Sequence, residues 1–203
     1  MRHNALIMSF PMILLCFEWD PRHRFIKRHA IALAAFIRVS SCPEFVNKAE
    51  RFVGVDDYQR ILQRTIAPAA SHGKLGGKSS GLLLADAVIR SSPEAAGKIG
   101  PVRLPRTWHI TSDGVLSFIE HNQLDDVHNH KYLEIEQIRR QYTHIVQVFR
   151  HSTFPPELAH GLSLALDNLG QVPLIVRSSS LLEDRVGAAF SGKYKSLFVA
   201  NQG

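Results

Sequence analysis

The sequence predicts an α/β (α+β) chain, and three observations carry that prediction. Residues 107–110 read as a short strand, and the compact apolar run 172–176, after a glycine stop, reads as another. Several longer stretches place apolar side chains at helical spacing. Proline, glycine and serine clusters separate the two kinds of segment, so strands and helices interleave along the chain.

The elements follow in order. Residues 1–43 are the least readable part and form an unassigned N-terminal segment: two apolar runs are joined by a basic stretch at 22–29, and Pro43 closes it. From 44 to about 66, Phe45, Val46, Phe52, Val53, Tyr58, Ile61 and Leu62 recur at mixed helical spacing, which predicts a helix over part of this stretch, ended by Pro68. Residues 69–80 are small and turn-rich. Leu82, Leu83, Ala85, Ala87, Val88 and Ile89 predict a helix to about Arg90, broken by Ser91-Ser92-Pro93. After the strand at 107–110, Ser112 and Asp113 are natural N-caps for a helix carrying Val115, Leu116, Phe118 and Ile119. Residues 132–149 read as a long amphipathic helix. Proline in a first turn starts the next at Pro155-Pro156, and Gly170 stops it. The run 172–176 reads as a buried strand, and 195–200 as another, beyond a glycine-bearing segment at 187–192.

At 203 residues the chain can build one substantial core or two small lobes, and with 45% hydrophobic and 21% charged residues it is an ordinary globular composition. The net charge of +6 favours acidic partners, and residues 1–51 hold eight Lys/Arg against four acids. That basic quarter lacks a recognisable nucleic-acid module and regular aromatic interleaving, so no nucleic-acid partner is expected. Two cysteines, Cys16 and Cys42, show neither metal spacing nor a disulfide framework and fit a cytoplasmic protein. The apolar run from Ala5 to Phe17 is interrupted by Pro11 and too short to span a bilayer, and Glu18-Trp19-Asp20-Pro21 offers no cleavage site. No membrane association is expected.

Two segments about a hundred residues apart can carry chemistry. The first is Gly76-Gly77-Lys78-Ser79-Ser80-Gly81, just before a helix. Adjacent glycines admit close backbone approach, a helix start offers N–H donors to an anion, and Lys78 adds a mobile charge. A Walker A loop requires its first glycine at position 72, which is His72, and a buried strand before it, where Pro68 falls; this is therefore not a P-loop. A solvated glycine turn is the plain alternative. The second segment runs Val176-Arg177-Ser178-Ser179-Ser180, continues to Glu183-Asp184-Arg185, and reaches Gly187-Ala188-Ala189-Phe190-Ser191-Gly192. A strand-end guanidinium suits phosphate, and serines add hydroxyl donors. The plain alternative is a salt bridge from Arg177 to Glu183 or Asp184.

As an ordered pair, these segments resemble the family of phosphoenolpyruvate synthase, pyruvate phosphate dikinase, rifampin phosphotransferase and glucan water dikinase. Its nucleotide domain opens on Gly-Gly-Lys, and about a hundred residues later a strand ends in Val-Arg-Ser-Ser, with Glu-Asp and a Phe-(Ala/Ser)-Gly loop behind it. The resemblance covers roughly residues 75–203 and makes 44–203 the N-terminal part of such an ATP-binding domain. It implies an ATP-grasp type of fold in which two lobes clasp ATP. Lys78 and Arg177 would hold the phosphates as the catalytic pair. Gly76, Gly77, Ser79, Ser178, Ser179 and Ser196 would line the nucleotide site, with Gly187 and Gly192 in a loop that closes over it. Lys193 stands where the family commonly has glutamine, and Ser180-Leu181-Leu182 replaces an Ala-Thr-Ala, marking a divergent subgroup.

By the same resemblance, the acidic side chains that hold Mg2+ and the phosphohistidine and pyruvate-binding domains would lie beyond Gly203. The expectation is an incomplete domain, a poor enzyme alone, that passes phosphate from ATP to a histidine on a mobile domain and thence to pyruvate or another acceptor. A noncatalytic nucleotide- or partner-binding module, or a degenerate product, is the other reading. His128 and His130, with Asp125 and Asp126, invite a metal site but lack a third ligand at a standard spacing and read as a solvated loop. His109 and His144 read as ordinary strand and helix residues.

Overall fold

In a computed structural model, the described residues are 43–92, 94, 97, 100, 102–180 and 194–202. The expected loop with Gly187 and Gly192, the acids at 183 and 184, and the basic segment before Pro43 lie outside them.

Two helices occupy the stretch after Pro43. Helix α1, Pro43–Phe52, opens with Glu44 and closes with Arg51, each at the end of the helix dipole that favours its charge. Helix α2, Val55–Leu62, places Asp57 in its first turn, where the carboxylate accepts the Gly54 N–H at 2.8 Å. Strand β1, Thr65–Ile66, follows, upstream of Pro68. Helix α3 runs Gly77–Ser91, as the apolar spacing predicts, but starts at the second glycine and so takes Lys78 and Ser79 into its first turn.

Strand β2, His109–Ile110, pairs in parallel with β1, Thr65 opposite His109 and Ile66 opposite Ile110. Helix α4, Gly114–His121, begins after Asp113, and a 3-10 helix, Asp125–Tyr132, carries His128 and His130. Helix α5 is Ile135–His151 and buries no residue; α6 is Pro156–Leu169, with proline at its start and Gly170 at its end. Phe118 joins α4 to its neighbours, stacking on Phe149 of α5 at 5.7 Å and meeting Phe154 edge-on at 5.5 Å. Asn122 closes the same corner, bonding both the carbonyl and the N–H of Thr153. Strands β3, Leu174–Val176, and β4, Leu197–Val199, form a separate antiparallel pair.

Small side chains let the helices close on one another. Ala49 and Val53 of the α1 region meet Ala87 of α3, with Phe45, Val46, Leu83 and Leu84 around them. Ile61 and Leu75 extend this core toward the glycine-rich loop. On the other side Ile66, 4% exposed, packs with Leu158 and Ala165 of α6 under Trp108 and Leu162. Burying such an isoleucine is worth roughly 1.5–3 kcal/mol, which fixes a strand too short to persist alone.

Two expectations change. The stretch from Thr65 to Ser71, expected to make a poor buried strand, supplies two strand residues, Thr65 and Ile66, which reach the β2 backbone before Pro68 intervenes. Strand β3 is not buried: Ile175 and Val176 are 51% and 55% exposed, and across the ladder Phe198 is 82% exposed. An apolar composition signals a face that wants cover. Among the described residues this two-stranded sheet receives little, because its only ladder partner is as apolar and exposed as itself.

Candidate functional site

The glycine-rich loop is fixed at its base before it reaches α3. The Asp113 carboxylate accepts the N–H groups of His72 and Gly73 at 2.9 and 2.8 Å, and the Ser71 hydroxyl at 3.0 Å. Ser112 and Lys74 exchange two further bonds, Ser112 N–H to the Lys74 carbonyl at 2.9 Å and Lys74 N–H to the Ser112 hydroxyl at 3.0 Å. Burial pushes the Asp113 carboxyl up, but its bonds from Thr111, Ser71, Gly73 and His72 outweigh that and hold it below its ordinary value. Asp113 stands at the N-cap position of α4, as its sequence context predicts, yet makes no side-chain cap there. Its carboxylate is spent on the loop instead. Gly73 is required by this contact, since a Cβ would fall 2.1 Å from the Asp113 oxygen.

The loop then delivers α3 to the end of β3. Ser179 acts as the cap of α3 from a hundred residues away. Its carbonyl accepts the Gly77 N–H at 3.0 Å, and its Oγ accepts the Ser79 N–H at 3.1 Å. The Ser79 and Ser179 hydroxyls are also 3.1 Å apart. Gly76 permits the approach. It has φ +82°, and a Cβ there would sit 1.7 Å from the Ser179 carbonyl oxygen. Two N–H groups expected to face an anion are therefore occupied by the chain itself, because the strand end supplies the acceptor that an isolated helix start lacks.

Around this junction stand the other residues singled out from sequence. Lys78 lies half-buried in the first turn of α3, and Arg177, exposed, follows directly on β3. Val176 pairs with Leu197, so Arg177, just after β3, and Ser196, just before β4, stand at the same end of that sheet. Ser178 turns its hydroxyl to the Ser180 N–H at 3.2 Å. Gly76, Gly77, Lys78, Ser79, Arg177, Ser178, Ser179 and Ser196 thus belong to one neighbourhood. Its donors are an ammonium, a guanidinium and hydroxyls, a set suited to an anion.

One further residue joins it. The Nδ1 of His109 lies 2.9 Å from the Ser79 hydroxyl. Burial, and secondly the Arg64 guanidinium, hold the imidazole below its ordinary value, favouring the neutral ring. With Nδ1 as acceptor the whole cluster is satisfied: Ser79 N–H donates to Ser179 Oγ, Ser179 O–H to Ser79 Oγ, and Ser79 O–H to His109. The sequence singled out the strand holding His109 but carried no signal that its ring meets Ser79, because the parallel pairing of β1 with β2 sets that contact. His128, exposed, and His130, half-buried, stay on the 3-10 helix, and among the described residues no three His, Cys, Asp or Glu side chains converge.

A family model described as pyruvate phosphate dikinase, AMP/ATP-binding domain, matches residues 72–203. The chain belongs to this family. The matched span starts at the turn clamped by Asp113 and takes in both segments of the junction. No curated protein and no solved structure matches the chain. Among the described residues no helix is long and apolar enough to cross a membrane.

Proposed function

We propose that the chain is the ATP-binding portion of a phosphotransferase of the phosphoenolpyruvate synthase and pyruvate phosphate dikinase kind, with an ATP-grasp type of clasp in which Lys78 and Arg177 hold the triphosphate. The observation that carries the reading is the contact of Gly77 and Ser79 with Ser179, which puts the lysine and the arginine at one junction. Lys78 acts as a mobile point charge. Arg177 offers a planar pair of donors for two phosphate oxygens. The hydroxyls of Ser178 and Ser196 add neutral donors, and the loop bearing Gly187 and Gly192 closes over the nucleotide. Phosphoryl transfer depends on positioning and charge neutralisation more than on covalent work by the protein. On this reading Mg2+ is held by the phosphates and by acidic side chains outside the described residues. The γ-phosphoryl passes to a histidine of a mobile domain and then to pyruvate or another acceptor, and the protein works in the cytoplasm.

The test is calorimetric titration with ATP, with and without magnesium, of the native chain, Lys78→Ala and Arg177→Ala. Weaker binding in both variants is the expected result. Binding that ignores both substitutions sinks the assignment of the triphosphate, and a folded native chain that takes up no ATP favours a noncatalytic module.

A further inference from the structure

We propose that the cleft between α2, α3 and the segment before β2 is a second anion site, one that takes a phosphate monoester with a small apolar or ring-shaped body. The cleft has a volume of about 340 Å3, at the small end of the range of roughly 300–1,000 Å3 typical of ligand pockets. Ile61, Leu82, Leu83, Leu104 and Pro105 supply its apolar lining. Its charged lining is mainly cationic, with Arg60, Arg64, Arg90 and Arg106 set against Asp57 and Asp86. Of the residues assigned above to the nucleotide site, Ser79 alone lines it.

The acids are already engaged. Asp57 bridges Arg60 and Arg90, the latter at 2.6 Å, and Asp86 meets Arg90 at 2.9 Å. Among the described residues neither Arg64 nor Arg106 is ion-paired. Arg106 donates to the carbonyls of Asn168 and Leu169 at 3.0 Å each, which holds the guanidinium in place without neutralising it. Arg64 is exposed and close enough to depress the protonation of His109. Four arginines against two aspartates leave a surplus of two positive charges, with His109 neutral. A phosphate monoester dianion matches that surplus, and a planar guanidinium matches its oxygens. The apolar lining offers nothing to inorganic phosphate, but it would cover an attached ring or alkyl body. The Ser79–His109 pair forms the wall shared with the loop–strand junction.

Phenyl phosphate and inorganic phosphate are the probes, titrated calorimetrically at low ionic strength into the native chain, Arg64→Gln, Arg106→Gln and Lys78→Ala. Phenyl phosphate is expected to bind more tightly than inorganic phosphate. Arg64→Gln should weaken it by about tenfold or more, and Lys78→Ala should leave it within about twofold. The exposed Arg64 side chain can be changed without unpairing a buried partner, and a native-like thermal midpoint of Arg64→Gln would verify this; Arg106→Gln gives a second reading of the same cationic lining. Three results would overturn the proposal: no heat from the native chain, equal affinity for the two probes, or binding lost in Lys78→Ala but kept in Arg64→Gln. ATP that fails to bind while phenyl phosphate still does would defeat the triphosphate assignment alone.

Discussion

Gly76→Ala separates a structural junction from a flexible turn more sharply than any other single change. Gly76 sits at φ +82° and ψ 179°, a region essentially closed to other residues at a cost of about 1–3 kcal/mol. The new Cβ would lie 1.7 Å from the Ser179 carbonyl oxygen. This is backbone, so no rotamer change relieves the clash. Relief requires the 178–180 backbone to leave α3, taking the bonds from Gly77 N–H at 3.0 Å and Ser79 N–H at 3.1 Å with it. At about 0.5–1.5 kcal/mol net for each bond, the whole loss is about 4 kcal/mol, a large share of a domain stability of ~5–15 kcal/mol. Gly81, in the same helix and exposed, is the control, because a Cβ there meets no atom within 4 Å. Gly81→Ala should stabilise by about 0.5–1 kcal/mol through helix propensity. Urea unfolding followed by circular dichroism measures both. A Gly76→Ala chain within about 1 kcal/mol of the native one, or a Gly81→Ala chain equally damaged, would refute the close contact of Gly76 with Ser179.

Three further outcomes are expected. The folded His109 ring titrates below about 6.5, so the unfolded chain takes the proton first as pH falls; the contribution to stability is intact above 6.5 and lost as pH drops through the folded value. Urea midpoints between about pH 7 and 5 should therefore slope in the native chain and flatten in His109→Gln, and equal slopes would count against the buried neutral ring. Burial raises the Asp57 carboxyl, but the Gly54 N–H and then Arg90 and Arg60 outweigh it, so its contribution is present above about 3.9 and lost as pH falls through the lower folded value. Because both arginines are substantially exposed, Asp57→Asn should cost only about 1–2 kcal/mol at neutral pH and flatten the acid limb; a native-like midpoint would contradict this. Phe198, 82% exposed on an apolar two-stranded sheet, should promote self-association, and Phe198→Lys should reduce the associated fraction in sedimentation, with an unchanged fraction clearing this strand of the role.

The helices were the legible part of the chain. Apolar spacing marked α3 and α5, and Pro155-Pro156 with Gly170 bracketed α6, because these are local signals that packing did not override. The short strands were harder. Thr65 and Ile66 carry no periodicity, and Pro68 argued against them; only the parallel register with His109 and Ile110 makes them a strand. The run at 174–176 has the composition of a buried strand, but burial depends on what else is packed above it. Asp113 was placed at the right position for a cap and does different work, because a carboxylate beside two loop N–H groups and a serine hydroxyl satisfies more donors there than at α4.

The two motif segments were recognisable as a pair before their contact was, and the contact changes what the glycines are for. Read alone, Gly76-Gly77 suggests a backbone opened toward a ligand. With Ser179 in place, the opening is filled by the chain: the strand end satisfies the helix start, and the glycine makes room for a carbonyl. Charge for an anion must then come from side chains flanking the junction, Lys78 on one segment and Arg177 on the other, rather than from the capped N–H groups of Gly77 and Ser79. The division explains why the two segments need each other. A serine that accepts at its carbonyl and its hydroxyl across a hundred residues holds the segment of Lys78 to that of Arg177, and His109 ties that serine pair to the sheet. Loss of the junction should therefore reduce anion affinity even when both cations remain.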